Sequence, residues 1–600
     1  MISGSLDSTP ATTNPTSTGV RAVVQALLGH HWPIIVVLAI FAATAFVVPT
    51  LTPVATTDDW GYSRSVEILL DEGHLTVFPV VAATAVFQIG WGAMFGLVFG
   101  MSLGVMRVST LVMVALGAIA LYALLRELGV SRGRSALGTA AYLFNPLTFV
   151  LAYTFMTDPF LTSLILGSTW FYVRGLRRDQ VDHRFVIAGS VVAACAFLTR
   201  QQGILVPAAV GMALLFTRRL WFDRATVKLT LAVAAIPAIT LVAYFAWLRL
   251  YNDVPAVQES FSREIQRAGI AGSWQLGRNL FFILLMYLGF FALPLVFATV
   301  AGIIPRLRSF GRQGLPAVIP WLAFPWLAVL LFGLVAYAYD GKRWPYIPQF
   351  VNAVGLGPTD IYGSRTRVFT GEFFDWATAV VAVAAMLVAV LVPRGMAAPP
   401  GRERTAAILV LVVAIWQVIG MLPPSFHYIR RGYSLDRYLL PLLPFIICLL
   451  LWAIRDLRLF QPIGWAIIAA MLAFNVAATR DYLTFLDTVW TTADEAVEAG
   501  ALTTSIDAGA SWDGYHLYTY GLDNNITRAQ TRNGPWWMTF YALASDSTYT
   551  VSSTLRPGYQ IMWTRPVDQW LVDGDPTVYL LRKLGAPVLP QPQGVGHGAE

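Results

Sequence analysis

WPIIVVLAIFAATAFVVPTL, residues 32–51, runs without one Asp, Glu, Lys or Arg, and TTDDWGY follows at residues 56–62. A charge-free run of about 20 residues is long enough to cross a hydrocarbon core about 30 Å thick as a helix. Leu280–Ile304 and Ala406–Leu422 repeat the pattern farther along the chain. Such runs are too long for transmembrane strands, and in lipid a helix pairs all of its own backbone groups. Working outward, the whole chain of 600 residues is 56% hydrophobic and only 12% charged. A soluble fold cannot bury that composition, so the expected fold class is an all-α polytopic membrane protein.

The net charge of +7 does not point to nucleic acid. The basic residues sit in short segments between apolar runs, without interleaved aromatics, which is how topology signals are distributed. Seven such segments are the tail with Arg21; Arg126, Arg132 and Arg134; Arg174, Arg177, Arg178 and Arg184; Arg218, Arg219, Arg224 and Lys228; Arg306, Arg308 and Arg312; Arg394, Arg402 and Arg404; and Arg455 with Arg458. Placing them on the cytoplasmic side predicts about thirteen crossings. These fall near 32–52, 107–126, 134–153, 159–174, 184–200, 203–217, 228–249, 279–304, 317–339, 376–393, 405–423, 437–454 and 461–478. Residues 77–106 are apolar throughout, but counting them as a crossing would turn every later arginine cluster outward. They are expected to be interfacial or re-entrant, with Gly92, Gly96, Gly100 and Gly104 on one helical stripe suited to close packing.

This topology divides the chain into a disordered cytoplasmic tail, 1–31; a membrane domain, 32–479, whose first outer loop is 53–106; and a small extracytoplasmic α/β domain, 480–600. The tail is Ser/Thr/Pro-rich and too poor in apolar side chains to fold alone. From Arg480 long apolar runs give way to a helix at 488–499 and short alternating segments. The Trp536-Trp537 pair there suits a core or a sugar-stacking surface, with the core favoured. Localisation follows as a multi-pass protein of the cell membrane with its C-terminal domain outside. Cys195 and Cys448 both lie in apolar segments, suggesting neither a disulfide framework nor a metal site.

Function is sought in the outer segments 53–106, 250–278, 340–375 and 424–436. Asp58 and Asp59 open a short amphipathic helix, with Tyr62, Val66, Leu69 and Leu70 on one face and Arg64, Glu67 and Asp71 on the other. That helix is expected to lie on the membrane surface. The two carboxylates suit a helix cap and dipole partner, or chemistry at a lipid headgroup. Asp158, in Thr157-Asp158-Pro159 at the outer end of another span, suits an N-cap equally well. Ionisable residues are absent from the middle of the spans, which disfavours an ion-coupled pump or symporter. No Walker loop, zinc-ligand spacing, nucleophile elbow or dinucleotide fingerprint occurs.

Asp58-Asp59 after the first span, Thr157-Asp158, Leu198-Thr199-Arg200-Gln201-Gln202-Gly203 between two spans and Leu435-Asp436-Arg437-Tyr438-Leu439-Leu440-Pro441 late in the chain form an ordered set. In order and placement the set resembles the polyprenyl-phosphate-dependent glycosyltransferases of the GT-C superfamily. The nearest groups are the protein O-mannosyltransferase and aminoarabinose transferase relatives, and the resemblance runs over about residues 32–478. It implies a membrane glycosyltransferase that moves a sugar from a polyprenyl-phosphate donor to a lipid, glycan or protein acceptor at the outer face, with no nucleic-acid partner.

The same resemblance implies catalytic carboxylates at Asp58, Asp59 and Asp158, with Asp58 as the base; Asp59 stands where the family often has Glu. Arg200, at a position that often carries Lys, would hold the donor phosphate. Arg437 and Arg107 are further phosphate candidates, though an arginine at a helix end also simply snorkels to headgroups. Relatives differ in metal use. Asp58 and Asp158 would suit a hard divalent cation, Mg2+ or Mn2+. The rival expectation is a flippase or transporter of lipid-linked sugars, which has no need of carboxylates in the first outer loop.

Overall fold

The computed structural model describes residues 31–177, 180–216, 224–313, 343–397, 403–422, 435–531, 534–574, 576–592 and 596–597. The expected tail, apart from His31, and the expected crossing at 317–339 lie outside these residues, as does most of the outer segment 424–436.

The described chain is mostly helical. Among the described residues six helices are long and apolar enough to cross a membrane: Leu103–Glu127, Arg224–Asn252, Asn279–Val300, Gly371–Met396, Asp436–Ala453 and Gln461–Glu498. A seventh is obtained if Arg132–Leu143 and Pro146–Ala152, bent by 64°, form one broken span. Sequence causes the break. Asn145 caps the second half, its side chain accepting from Leu147 N at 3.1 Å, and Pro146 occupies the first turn. Other expected crossings correspond to shorter apolar helices, namely His31–Thr44, His183–Thr199, Gln201–Leu215 and Arg404–Gly420. The first of these, α1, stops at Thr44 and continues as turns to Leu51, where Pro49 has no N–H to extend a helix.

Two expectations change in the segment expected to form the first outer loop. The helix after Asp58, α2 (Asp59–Asp71), is packed within the protein and is not an open amphipathic helix: Asp59 to Ser63, Ser65 and Val66 are buried. Its polar face is covered by the C-terminal part of the chain, since Arg64 Nη2 donates to Tyr515 O at 3.0 Å and the Tyr515 hydroxyl donates to Glu67 at 3.0 Å. Within 77–106, α3 (Val86–Phe99) has 14 residues, about 21 Å, shorter than a hydrocarbon core. The glycine stripe is not continuous, because Gly100 adopts φ +84 and ends α3. Gly92 and Gly96 fit under Val66 and Leu70 of α2, whereas Gly104, in α4 (Leu103–Glu127), meets the backbone of Leu51.

The last membrane helix also exceeds its expected end. Gln461–Glu498 is one helix of 38 residues, about 57 Å long. The expected boundary at 479/480 therefore lies inside it, and the expected separate helix at 488–499 is its C-terminal end. Beyond it, five strands, Ile506–Asp507, Tyr549–Ser552, Tyr559–Pro566, Thr577–Lys583 and Gly596–His597, are ordered 1-2-4-3-5 in one sheet. The first pair is parallel and the others antiparallel. Two helices, Ala510–Asp523 and Trp536–Phe540, accompany the sheet.

This C-terminal part seats α2. Trp60 is fully buried, with Phe78 on one side and Tyr518 and Tyr541 on another. A Cβ on Gly514 would lie 2.4 Å from the Trp60 indole, so only glycine permits the approach. Tyr362 bridges to Ser552 of the sheet, tying the 340–375 segment to the same unit.

Candidate active site

Asp58 occupies the N-cap position of α2, but its carboxylate makes no capping hydrogen bond. It faces Arg437 instead, which donates through Nη1 to Oδ1 at 3.0 Å and through Nη2 to Oδ2 at 3.3 Å. This forked geometry matches a planar guanidinium to a carboxylate. Burial opposes ionisation of Asp58, but the Arg437 guanidinium outweighs it and holds the carboxyl below its ordinary range.

Asp59 points away from that pair. Its carboxylate accepts from Thr56 N at 2.8 Å, Thr57 N at 3.2 Å, Phe155 N at 3.1 Å and Thr56 Oγ1 at 2.5 Å. With every bond internal and only 3% exposure, it fixes the loop on which Asp58 stands and joins it to the entrance of α7 (Thr157–Leu176).

Asp158 lies in the first turn of α7 and is 1% exposed. Arg200, directly after the helix His183–Thr199, donates through Nη1 to Asp158 Oδ1 at 2.6 Å and to Thr157 Oγ1 at 3.2 Å. Arg437 Nε is 4.0 Å from Asp158 Oδ2, and both atoms are buried without a hydrogen bond. Tyr438 lies beneath both guanidiniums, 5.1 Å from Arg200 and 5.6 Å from Arg437. Asp58, Arg437, Asp158 and Arg200 therefore form one alternating chain of charge. The buried Tyr62 hydroxyl senses all four, its pKa raised by burial and then by Asp58.

The structure gives Arg107 a different position. It is 1% exposed, and its donors go to Thr50 O and Thr52 O, each at 2.7 Å, and to Val54 O. Those three carbonyls belong to the strand of chain between α1 and Asp58, so Arg107 braces the approach to the site and stands apart from the charge chain.

Two acidic residues that sequence reasoning did not single out complete the surroundings. Asp436 accepts from the backbone N–H groups of Gln349, Phe350 and Val351, at 3.3, 2.9 and 2.9 Å, holding the 340–375 segment beside Arg437. Asp360, on that segment, lies beside the Trp536 indole and within electrostatic reach of Asp58 and Arg437. Burial, with a contribution from Asp58, pushes its carboxyl up to about 6. Asp436 lies in the Leu435–Pro441 motif without a part assigned to it there, and Asp360 lies in none of the sequence motifs; each acts through partners distant in the chain.

Among the described residues no three His, Cys, Asp or Glu side chains converge as a metal site. Asp58 and Asp158, the carboxylates suited to a divalent cation, face the same Arg437. That guanidinium already supplies the positive charge a cation would bring, so these residues fit an arginine rather than a metal.

Residues 90–245 match the family model for dolichyl-phosphate-mannose-protein mannosyltransferase. The match includes Asp158 and Arg200 and excludes Asp58 and Arg437. No curated protein matches the chain. Among solved structures, the chain is similar to ArnT from Cupriavidus metallidurans bound to undecaprenyl phosphate, at 15% identity and a TM-score of 0.40 over 93% of this chain and 99% of that one. It is also similar to the Archaeoglobus fulgidus oligosaccharyltransferase tethered with an acceptor peptide, at 12% identity and a TM-score of 0.40 over 79% of this chain and 58% of that one. Likeness this loose says nothing about chemistry, and the sequence match over 90–245 carries the assignment. Asp158 and Arg200 thus lie in the stretch that is similar to the dolichyl-phosphate-mannose-protein mannosyltransferase family model.

Proposed function

We propose that this chain moves a sugar from a polyprenyl-phosphate donor onto a hydroxyl of a lipid, glycan or protein acceptor at the outer face of the cell membrane. The observation that carries the reading is the position of Arg437, forked onto Asp58 and 4.0 Å from an unpaired oxygen of the buried Asp158. A cation shared by two carboxylates is poised to exchange one of them for a phosphate.

In this reading the donor phosphate draws Arg437 and Arg200 toward itself. Asp58 then loses the partner that held its pKa down and becomes a better base. The acceptor hydroxyl oxygen attacks the anomeric carbon while its proton passes to Asp58, and the bond from that carbon to the phosphate oxygen breaks. The lipid phosphate leaves with its electron pair, its charge stabilised by the two guanidiniums. Asp158 positions Arg200, Asp59 positions the loop that carries Asp58, and Arg107 braces that loop from behind.

The finer topology belongs to the same proposal: about thirteen crossings, a cytoplasmic tail at 1–31, the membrane domain at 32–479, the first outer loop at 53–106 and the C-terminal part, 480–600, outside. The arginine clusters support this orientation, and it places Asp58 where a lipid-linked donor is presented. The test is to incubate purified protein with a panel of polyprenyl-phosphate sugars together with lipid, glycan and peptide acceptors, and to measure free polyprenyl phosphate. Release from at least one member is expected, and a panel left intact would overturn the reading.

A further inference from the structure

The Trp536-Trp537 pair divides between two environments. Trp537 is core: it is 4% exposed, and its indole N–H donates to Asp507 at 3.1 Å. Trp536 is 38% exposed, and Phe540, one turn farther along the same short helix, is 51% exposed. The two rings lie 6.5 Å apart.

This aromatic surface is coupled to the candidate active site by two routes. Trp536 packs edge-on against Tyr541 at 5.3 Å, and Tyr541 packs edge-on against Trp60 at 5.3 Å. Trp60 directly follows the Asp58-Asp59 pair. Along the second route, the Asp360 carbonyl accepts from Ala510 N at 2.8 Å and Tyr362 packs edge-on against Trp537 at 6.1 Å, which seats the Asp360 carboxyl beside the Trp536 indole and within electrostatic reach of Asp58 and Arg437. Two exposed aromatic rings thus stand on one short helix, the first of them beside a half-buried carboxylate that neighbours the charged site.

That combination discriminates among acceptors. A pyranose ring has an apolar C–H face that covers an aromatic ring and an edge of hydroxyls that donate to a carboxylate. An acyl chain would gain from the rings but would desolvate Asp360 without pairing it. An extended peptide pairs its backbone with strand edges, and Trp536 and Phe540 lie on a helix.

We propose that Trp536, Phe540 and Asp360 form an acceptor subsite that holds a sugar ring, so that the attacking hydroxyl belongs to a glycan. The proposal rests on the reading of Asp58 as the base, because the ring it places is the one that must reach Asp58.

The test uses the full chain in detergent with methyl α-mannopyranoside, methyl β-glucopyranoside, methyl β-galactopyranoside, mannobiose and a Ser/Thr peptide as probes. Binding is read by saturation-transfer NMR, which requires no turnover. Saturation of ring protons on at least one glycoside is expected. Its Kd should rise about tenfold in Trp536→Ala and stay near the wild-type value in Trp376→Ala, an exposed tryptophan elsewhere. Trp536→Phe, which keeps a stacking face, should bind more tightly than Trp536→Ala. No glycoside saturation in the wild-type protein, equal saturation in Trp536→Ala, or saturation of the peptide alone would overturn the subsite. The rate of polyprenyl phosphate release by Asp58→Asn beside the wild-type protein, with donor and acceptor both present, judges the Asp58 reading separately.

Discussion

Arg437 grips both carboxylate oxygens of Asp58, at 3.0 and 3.3 Å, although the two residues are 379 positions apart in the chain. The pair closes the loop before α2 against the start of the late apolar helix Asp436–Ala453. Its forked form matters because phosphate is recognised by the same geometry.

Arg437→Lys tests the fork. Lysine keeps the charge but presents a point rather than two parallel N–H groups. The KM for the lipid-linked donor is expected to rise about tenfold or more, with a correctly folded protein by circular dichroism. An unchanged donor KM would remove Arg437 from phosphate binding.

Asp59→Asn separates the two adjacent aspartates. Asp59 serves three donors within the loop and a fourth at Phe155 N, and none in the charge chain. An amide brings its own N–H groups against those donors, so a loss of about 2 kcal/mol or more is expected. It should appear as a lower thermal midpoint. A stable but inactive variant would instead assign Asp59 a direct part in the reaction.

Asp360 gives a pH dependence with a definite sign. Its carboxyl is raised from 3.8 to about 6, so the folded protein holds this proton more tightly than the unfolded chain does. The stabilisation is fully present below pH 3.8 and is lost as pH rises through about 6. Wild-type protein should therefore lose thermal stability relative to Asp360→Asn between pH 4 and 7, and parallel curves would contradict the assignment.

Gly514→Ala tests the seat of α2. The added Cβ would fall 2.4 Å from the Trp60 indole, and overpacking of that kind costs about 1–3 kcal/mol. A lower thermal midpoint is expected, together with reduced transfer, because Trp60 follows the catalytic loop. Wild-type stability would show that the C-terminal part does not clamp α2.

Much of this was legible in the sequence because hydrophobic length and outer-loop acidity are local properties. The run at 32–51 announced a membrane protein, and the placement of Asp58, Asp158 and Arg200 at expected outer helix ends brought together residues that the fold links through Arg437. Other features depended on tertiary contacts. Arg107 looks like any arginine at a membrane boundary until three carbonyls occupy it. Asp436, though inside the Leu435–Pro441 motif, and Asp360 have partners that lie about 85 or more residues away. The helix Gln461–Glu498 ignores the change in composition at Arg480, because its C-terminal half packs against the sheet with Tyr482, Leu483 and Val489 buried. The burial of α2 was hidden for the same reason: its cover, Tyr515 and Tyr518, comes from the far end of the chain.

The central claim is that Asp58 removes the acceptor proton, and the most direct measurement is the rate of polyprenyl phosphate release by Asp58→Asn beside the wild-type protein, with donor and acceptor both saturating. Asparagine keeps the size of the side chain and cannot take the proton, so the rate is expected to fall by about 10²–10⁴ while the fold is retained. A rate within a few-fold of wild type would contradict the claim and leave Asp58 as no more than the partner of Arg437.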